Sequence, residues 1–426
     1  MIMRPYQPRV VDDVLKKKLI AGTVLIKGPK WCGKTWTAQQ LAKSFLLMDD
    51  PERKEQNVAL AKNSPTIALD GETPRLIDEW QLVPKLWDAV RFEVDKRGKP
   101  SQFILTGSSV PPDMTQIDHS GTGRIASLLM RPMSLYESRE STGNVSLAQL
   151  FASPVQITGT SNLGLKELAF LTCRGGWPRA TSFVGDEALM LARTYYEGLV
   201  ENDIIRVDGV RRNTNIANRV LRSYARYQGQ QVSFENIRKD TGAGDGLAVG
   251  IDTIYDYVNA FRKLFVIEDS PSWNPNLRSK AAIRTSDTRY FVDSSLAAQA
   301  LGIGPDDLIQ DLNTFGFLFE TLCIRDLRVY AQATSRNVSH YRDSNGLECD
   351  AVIHSQDGQY GLVQIKLGSD DETLEQATEK LNDLAAIIDD TVMNKPAFLL
   401  ILAGNTPYAY RREDGIYVVP IGCLGP

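Results

Sequence analysis

The stretch Gly28-Pro29-Lys30-Trp31-Cys32-Gly33-Lys34-Thr35 has the form G-x-x-x-x-G-K-T, which is typical of a phosphate-binding loop. Gly28 and Gly33 allow positive φ values, so that backbone N–H groups can close around phosphate oxygens. Lys34 supplies a charge at the β and γ phosphates, and Thr35 supplies a hydroxyl for Mg²⁺. The loop therefore predicts a bound nucleoside triphosphate, with ATP and Mg²⁺ as the expected cofactors.

The segments on either side of this loop fit its usual place between a strand and a helix. Residues 22–27 (GTVLIK) form a short apolar run, which predicts a buried strand that enters the loop. Residues 36–48 (WTAQQLAKSFLLM) carry apolar residues at helical spacing, which predicts a helix that begins at Trp36. We therefore predict that the whole stretch from Gly28 to Trp36 contacts the nucleotide.

A second motif, LIDE at residues 76–79, is a short apolar run that ends in two acids. This is the form of a Walker B strand. Asp78 is expected to hold Mg²⁺ through the Thr35 hydroxyl or through water. Glu79 is expected to orient the attacking water or accept its proton. The alternative is that the two acids form a polar turn after a core strand.

A further strand is predicted at residues 102–105 (QFIL), and the polar residues TGSS follow it at 106–109. A polar side chain at the tip of such a strand can reach the γ-phosphate or its water. Thr106 and Ser108 are the two candidates. The alternative is again a polar turn that has no catalytic role.

Five stretches together resemble a family of prokaryotic AAA-type ATPases whose members carry a C-terminal domain of unknown function with a restriction-endonuclease-like fold. In chain order they are LIDEWQ at 76–81, FILTGSS at 103–109, HSGTGR at 119–124, RPMSLYE at 131–137 and GGWP at 175–178. The resemblance extends over nearly the whole chain. It implies an α/β architecture in which a P-loop ATPase domain precedes the endonuclease-like domain.

Two residue assignments rest on this resemblance. Arg124 corresponds to the family's Gly-Arg position and is expected to act as an arginine finger, either in cis or toward a neighbouring subunit. A finger supplied in trans requires a homo-oligomer, and the alternative is a structural salt bridge. Pro178 belongs to a Gly-Trp-Pro triplet that resembles the G-x-P element lying against adenine in related signalling ATPases. The alternative for this triplet is an ordinary turn.

Composition sets the broad class of the protein. The 426 residues are 42% hydrophobic and 23% charged, as in an ordinary globular protein of two or three domains. No run of eighteen apolar residues occurs and the first residues lack a secretory apolar core, so a cytoplasmic protein without membrane contact is predicted. The net charge of −4 argues against a general nucleic-acid coat, and the five cysteines lack C-x-x-C spacing.

Three arginines in the middle of the chain make DNA a candidate partner. Arg219, Arg222 and Arg226 are spaced to share one face of a predicted helix, which could meet phosphates. The alternative is a solvated helix face or a seam against the acidic ATPase domain. Residues 234–268 then resemble a winged helix-turn-helix, but the presumed recognition helix carries acids where DNA would require donors. This favours slightly a docking or lid module for a protein partner.

The C-terminal part contains a second set of candidate chemical groups. Glu320 lies on a predicted helix, Asp350 follows a turn, and Gln364 and Lys366 lie two residues apart on a predicted strand. Side chains two apart on a strand share a face, so these two would point together at Asp350. This is the D…(E/Q)-x-K skeleton of restriction-endonuclease-like folds. Because Gln364 contributes no charge to metal binding, a degenerate site is favoured over an active nuclease.

The predicted fold class is α/β: an AAA-type ATPase core and lid at 1–190, a winged-helix region at 191–285 and a restriction-endonuclease-like domain at 286–426. Three functions follow from it. The first is an ATPase that couples nucleotide turnover to its C-terminal domains, on DNA or elsewhere. The second is a slow nucleotide-dependent switch that binds a protein partner. The third is an ATP-regulated DNA nuclease.

Overall fold

A computed structural model describes residues 5–107, 120–152, 154–242, 249–275, 286–388 and 393–426. Packing divides the chain into two compact units. The first consists of Met1–Pro132, Glu201–Arg212 and Ala260–Phe265, and the second of Met133–Val200, Asn213–Asn259 and Val266–Pro426. The three domain boundaries proposed from the sequence stay predictions, because packing units of this kind do not show which segments fold alone.

The first unit is built on a five-stranded parallel sheet with the strand order β2-β3-β4-β1-β5. Its strands are β1 (Thr23–Lys27), β2 (Ser44–Leu47), β3 (Arg75–Asp78), β4 (Phe103–Thr106) and β5 (Ile125–Leu129). In a parallel sheet the carboxyl ends of the strands meet at one edge, which is where ligands usually bind. The phosphate-binding loop, Asp78 and Thr106 therefore belong to the same edge.

Helices cover both faces of this sheet. They are Val11–Lys18, Lys34–Gln39, Lys54–Asn63, Pro65–Ala68 and Leu86–Arg97, with short 3₁₀ turns at Leu19–Ala21 and Trp80–Leu82. Alternate residues of β1 enter different cores: Val24 and Ile26 pack in one cluster, whereas Leu25 packs in the other. A strand buried on both faces in this way requires a continuous apolar run, and TVLIK supplies it.

The predicted helix at residues 36–48 is wrong in its second half. The helix ends at Gln39, and Ser44–Leu47 forms β2, which pairs with β3. A short apolar run such as Phe45-Leu46-Leu47 fits a strand as well as a helix, and periodicity alone does not separate the two. Pairing with β3 satisfies the backbone groups of this run and adds a strand at the edge of the sheet.

The remaining helices lie between and after these elements. In chain order they are Leu147–Leu150, Leu165–Arg174, Gly185–Gly198, the π-helix Leu199–Asp203, Ile204–Arg206, Thr214–Arg226, Phe234–Gly242, Ile251–Lys263, Ser294–Leu301, Pro305–Gln310, Leu312–Ala333 and Asp371–Ile387. Short 3₁₀ turns lie at Ala180–Ser182 and Ile421–Cys423. Among the described residues, no helix combines the length and apolarity required to cross a membrane.

The second unit contains a seven-stranded mixed sheet with the strand order β7-β12-β13-β11-β10-β9-β8. Its strands are β7 (Gly159–Thr160), β8 (Asn337–Arg342), β9 (Glu348–His354), β10 (Tyr360–Lys366), β11 (Phe398–Ala403), β12 (Tyr408–Arg411) and β13 (Tyr417–Pro420). A separate pair joins β6 (Val145–Ser146) to β14 (Leu424–Gly425). The second unit thus combines a sheet with helices, and its assignment to the restriction-endonuclease-like fold stays a prediction.

Two helices fix the position of the central strands of this sheet. Helix Asp371–Ile387 places Leu374 and Leu381 in a core with Leu362 of β10 and Ile401 of β11. The long helix Leu312–Ala333 packs against β8 and β10. Both helices therefore pack against β10.

The winged-helix assignment also stays a prediction. Helices occupy Phe234–Gly242 and Ile251–Lys263, close to where the sequence predicts them. The described part of the predicted wing forms isolated bridges, Ile267 with Phe291 and Ser270 with Thr288, and no regular ladder. Residues 243–248 and 276–285, which belong to the predicted turn and wing, lie outside the described residues.

Candidate functional site

The two glycines of the phosphate-binding loop adopt backbone conformations that other residues rarely tolerate. Gly28 has a φ of 154°, and a Cβ at this position would lie 2.1 Å from the backbone oxygen of Met130. Gly33 has a φ of 101° and forms the N-cap of helix Lys34–Gln39. The loop therefore folds tightly against Met130, the residue that follows β5, and Gly28 is required for that close approach, whereas Gly33 is required for its positive φ.

Lys34 is buried beneath the loop, with only 7% of its surface exposed. Its ammonium group donates hydrogen bonds to the carbonyl oxygens of Gly28 at 3.0 Å and Pro29 at 2.8 Å. These bonds hold the charge against the loop. The charged oxygens of a bound phosphate are stronger hydrogen-bond acceptors than the two carbonyl groups. Lys34 is therefore placed to donate to a phosphate instead of to the loop carbonyl groups.

Thr35, Asp78 and Thr106 form one hydrogen-bonded group at the carboxyl edge of the sheet. The Thr35 hydroxyl donates to Asp78 Oδ1 at 3.0 Å, and the Thr106 hydroxyl donates to the same oxygen. The three side chains come from the helix after β1, the end of β3 and the end of β4. A hydroxyl beside a carboxylate next to a phosphate loop fits Mg²⁺, which prefers oxygen ligands and takes the rest from phosphate and water.

Glu79 follows Asp78 in a left-handed backbone conformation, with a φ of 54°. A non-glycine residue held there costs roughly 1 kcal/mol or more, and such strain is found most often at functional sites. The Gln81 amide donates a hydrogen bond to the Glu79 carboxylate and fixes its direction. The strained turn therefore carries the carboxylate away from the strand and toward the phosphate loop.

The loop and Glu79 line a cavity of about 340 Å³ that is open to solvent. Its lining consists of Lys30, Trp31, Gly33, Lys34, Thr35, Trp36 and Glu79. This volume lies at the lower end of the range for small-molecule sites. Cys32 is fully buried beside the Met130 carbonyl oxygen, so its side chain faces the core and only its backbone is available to a ligand.

Sequence reasoning missed one residue at this site, Asp203. Its carboxylate forms an ion pair with Lys30 of the loop, at 2.5 Å from the Nζ atom. Asp203 ends a π-helix and belongs to the segment Glu201–Arg212 of the first unit. No local motif predicts the Lys30–Asp203 ion pair, because the two residues are far apart in sequence and meet only in the folded structure.

The structure does not bring Arg124 to the phosphate loop of its own chain. Arg124 immediately precedes β5, and its carbonyl oxygen accepts a hydrogen bond from the N–H of Thr23 at the start of β1. The loop follows the other end of β1, a strand length away. The Arg124 guanidinium instead contacts Asp95 at 2.8 Å. Arg124 therefore forms a salt bridge away from its own loop in this structure, and its role as an arginine finger, in cis or in trans, stays a prediction.

Two other predicted nucleotide contacts stay untested. Ser108 lies outside the described residues. Pro178 belongs to the second unit, where its neighbours are firmly held: Gly176 N–H donates to Asp293 Oδ2 at 2.9 Å, and Trp177 Nε1 donates to Ser295 Oγ at 3.0 Å. These bonds give the Gly-Trp-Pro triplet a clear structural role within its unit.

Asp293 is part of a buried ionic group in the second unit. Arg325 donates to Asp293 at 2.9 Å and to Asp326 at 2.7 Å, and all three side chains are at most 1% exposed. Asp326 also accepts a hydrogen bond from the backbone N–H of Leu135. The group thus connects the RPMSLYE stretch, the GGWP stretch and the long helix.

The arginine face predicted on the middle helix is largely engaged within the chain. Arg219 donates to the carbonyl oxygen of Thr241 at 3.4 Å, and Arg226 pairs with Asp240 at 3.1 Å. Both partners lie on helix Phe234–Gly242. Two of the three arginines therefore bind a neighbouring helix, Arg222 is exposed, and DNA binding by this face stays a prediction.

The four residues of the predicted nuclease-like skeleton do lie together. Lys366 Nζ is 3.5 Å from Asp350 Oδ2 and 3.0 Å from Gln364 Oε1. Glu320, on the long helix, lines the same small cavity as Asp350, which has a volume of about 30 Å³. The pairing of β9 with β10 and the packing of the helix on β10 position these groups.

Most oxygen atoms of this cluster already have protein donors. Asp350 Oδ2 also accepts a hydrogen bond from the backbone N–H of Ile365 at 2.7 Å. The side-chain oxygen Oε1 of Gln364 accepts a hydrogen bond from the ammonium group of Lys366. Over the residues described, no group of three or more His, Cys, Asp or Glu side chains is arranged to hold a metal ion. The residues present therefore make a poor divalent-cation site.

The charges of the cluster support the same conclusion. Burial, together with the neighbouring Asp350 carboxylate, raises the pKa of Glu320 from 4.5 to about 8, although Tyr290 donates a hydrogen bond to it. Burial alone would lower the pKa of Lys366, but Asp350 and Glu320 raise it above its ordinary value. At neutral pH Glu320 is therefore mainly protonated, which removes a negative charge from the cluster.

Comparison with known proteins identifies the first part of the chain. Residues 21–138 match the family described as AAA domain. Together with the loop and sheet geometry, this match supports a nucleotide-binding P-loop ATPase domain. Residues 165–307 and 315–424 match two families described as domains of unknown function, DUF8612 and DUF4143, whose descriptions state no activity.

Two mycobacterial proteins are similar to the chain over most of its length. They are Uncharacterized protein Mb2031c from Mycobacterium bovis and Uncharacterized protein Rv2008c from Mycobacterium tuberculosis. Each is 24% identical over 401 residues, which cover 90% of this chain and 82% of the relative. Their names state no activity.

Among solved structures, Cdc6p from Pyrobaculum aerophilum is similar at 12% identity with a TM-score of 0.24. The similarity covers 75% of this chain and 97% of that chain. A TM-score this low carries no fold assignment. The P-loop assignment consequently rests on the AAA domain match and on the geometry of the loop.

Proposed function

We propose that the protein binds ATP with Mg²⁺ at the phosphate loop and hydrolyses it, coupling turnover to its C-terminal parts. One observation carries this proposal: Lys34, the Thr35–Asp78–Thr106 group and Glu79 converge on one edge of the parallel sheet. They come from the helix after β1 and from the ends of β3 and β4, so the fold itself assembles them. Phosphoryl transfer requires mainly positioning and charge compensation, which these groups supply.

Each residue has a distinct task in this proposal. Lys34 exchanges its loop carbonyl acceptors for the β and γ phosphate oxygens and neutralises part of their charge. When bound, Mg²⁺ lowers the negative charge of the phosphate tail, and Thr35 and Asp78 would hold it. Glu79, directed by Gln81, orients the attacking water. Thr106 fixes the Asp78 carboxylate.

Two contributions from outside this edge belong to the proposal as well. Arg124 would complete the charge compensation at the site of a neighbouring subunit, which requires a homo-oligomer. Pro178 would lie against the adenine ring. What supports the first is the exposed position of Arg124, whose side chain is 47% exposed in its pair with Asp95.

Replacing Glu79 by Gln tests hydrolysis separately from binding. The substitution preserves the shape of the side chain and removes its carboxylate, so ATP affinity should stay within about twofold while turnover falls by roughly a hundredfold or more. Glu72→Gln makes the same change at an exposed position before β3 and should match the parent. Equal turnover in the Glu79 variant and the parent would remove Glu79 from the catalytic role.

The rate of steady-state turnover, with and without DNA, then separates the coupled ATPase from a slow switch. Strong stimulation by single- or double-stranded DNA supports an ATPase that works on DNA. A very slow rate that DNA leaves unchanged supports a nucleotide-dependent switch with a protein partner. The ionic strength must be fixed, because phosphate contacts weaken steeply with salt.

DNA cleavage is a second candidate, supported by one cluster: Glu320 and Asp350 line the same small cavity, and Lys366 contacts both Asp350 and Gln364. We expect weak or absent cleavage, since these oxygens are already engaged by protein donors and Glu320 is mainly protonated. Asp350→Ala and Lys366→Ala should both stop any nicking of plasmid DNA and leave ATP hydrolysis unchanged. Robust, Asp350-dependent nicking at physiological Mg²⁺ would instead favour the nuclease.

A further inference from the structure

Two tryptophans line the nucleotide cavity with much of their surface in solvent. Trp31 is 44% exposed and Trp36 is 41% exposed. Trp31 also has a φ of 65°, which is rare for a bulky residue. Large exposed aromatic surfaces in a cavity mark a place that a ligand covers. The phosphate groups of a nucleotide do not cover such surfaces, whereas a nucleobase does.

Trp36 is held in place by Tyr6 from the segment before the first helix. The two rings meet edge to face, with centroids 6.4 Å apart and an interplanar angle of 64°. The Tyr6 hydroxyl donates to Asp12 at 2.7 Å and is 2.9 Å from the Thr37 hydroxyl. Burial raises the pKa of Tyr6 well above its ordinary value, so the phenol keeps its proton and these bonds. The indole is therefore a fixed surface.

The sheet shows which end of the nucleotide this surface faces. Asp78 and Thr106 end β3 and β4, on one side of β1, and they mark the γ-phosphate end. The segment that carries Tyr6 is attached on the other side, because Arg9 donates to the carbonyl oxygens of Cys32 and of Arg131, two residues beyond β5. A triphosphate with its γ end at Asp78 directs its base toward this other side.

We propose that Trp36, braced by Tyr6, is the stacking surface for the nucleobase of the bound nucleotide. This assignment rests on the proposed function, since it presumes a triphosphate in the loop. Stacking on an aromatic ring involves the face of the base and not its hydrogen-bonding edge. Trp36 therefore supplies affinity for the base and favours the larger purines over pyrimidines, without distinguishing ATP from GTP by itself.

Calorimetry with two ligands separates base stacking from phosphate binding. The parent, Trp36→Ala, Trp36→Phe and Phe92→Ala are each titrated with Mg-ATP and with Mg-tripolyphosphate, which has the phosphates but no base. Phe92 is a matched control, since it is 57% exposed and does not line the cavity. Loss of one aromatic stack should lower ATP affinity about tenfold or more in Trp36→Ala. Tripolyphosphate affinity should stay within about twofold.

The other variants complete the test. Trp36→Phe retains an aromatic face and should recover most of the ATP affinity, whereas Phe92→Ala should match the parent with both ligands. Equal losses for ATP and tripolyphosphate in Trp36→Ala would overturn the inference, because Trp36 would then support only the loop. Unchanged ATP affinity would overturn it as well. Failure of the parent to bind either ligand would instead refute the proposed nucleotide site.

Discussion

Replacing Glu320 by Gln should stabilise the protein, and the gain should grow with pH. Glu320 lies on the long helix beside Asp350, and Tyr290 donates a hydrogen bond to its Oε1 atom. Burial and the Asp350 carboxylate raise its pKa from 4.5 to about 8. A glutamine keeps the acceptor for Tyr290 and has no proton to lose, so it imitates the protonated carboxyl at every pH.

The sign follows from proton linkage. Below pH 4.5 the carboxyl is protonated in both states and contributes nothing to the pH dependence. Between pH 4.5 and about 8 the unfolded chain releases this proton while the folded protein retains it, so stability falls as pH rises. The full pKa shift would correspond to a loss of roughly 5 kcal/mol in the free energy of unfolding at pH 8. Because the Glu320 side chain is partly exposed, solvent screens these interactions, and we expect a loss of about 1–3 kcal/mol.

Thermal unfolding at pH 5, 6, 7 and 8 measures this gain as the difference in Tm between variant and parent. We expect little difference at pH 5 and an increase of roughly 3–8 °C at pH 8, given about 2–4 °C per kcal/mol for domains of this size. Glu187→Gln makes the same change at an exposed position of the same unit and should show no such trend. A difference that does not vary with pH, or a variant less stable at pH 8, would refute the reasoning.

Two further substitutions test the structural account. Arg325→Met leaves Asp293 and Asp326 buried without their cation and should lower the free energy of unfolding by about 3–5 kcal/mol, measured by denaturant unfolding. The control Lys16→Met removes one partner of an exposed ion pair and should lower it by at most about 1 kcal/mol. Similar losses for both variants would contradict the buried network. Gly28→Ala places a Cβ 2.1 Å from the Met130 carbonyl oxygen and should abolish ATP binding in a titration, whereas Gly198→Ala, with open space around it, should leave affinity unchanged. Retained affinity in the Gly28 variant would show that the loop adapts.

The parts of the site that could be predicted from sequence are those fixed by local geometry. The loop glycines, Lys34 and Thr35 occur within eight residues, and their spacing alone determines how they meet phosphates. Asp78 and Thr106 follow apolar runs, and parallel strands bring their carboxyl ends to one edge. Sheet topology also brings Thr106 to Asp78, which the sequence analysis did not state, and the expected role of Thr106 at the γ-phosphate or its water stays a prediction.

The parts that sequence did not reveal depend on long-range packing. Asp203 pairs with Lys30 across more than 170 residues of chain, and Tyr6 braces Trp36 from a segment without a motif. The position of Arg124 also depends on packing. A resemblance of motifs left open whether Arg124 serves its own chain or a neighbouring subunit, and the sheet places it before β5, at the opposite edge from the loop that follows β1.

The most direct test of the account is the binding of Mg-ATP to the parent and to Lys34→Ala, measured by calorimetry. The parent should bind one ATP per chain, because Lys34 is the cation that the loop holds against its own carbonyl groups at the phosphate position. Lys34→Ala should show no detectable binding, while Lys43→Ala, an exposed lysine after the same helix, should match the parent. ATP affinity in the Lys34 variant equal to that of the parent would contradict the assignment of the nucleotide site.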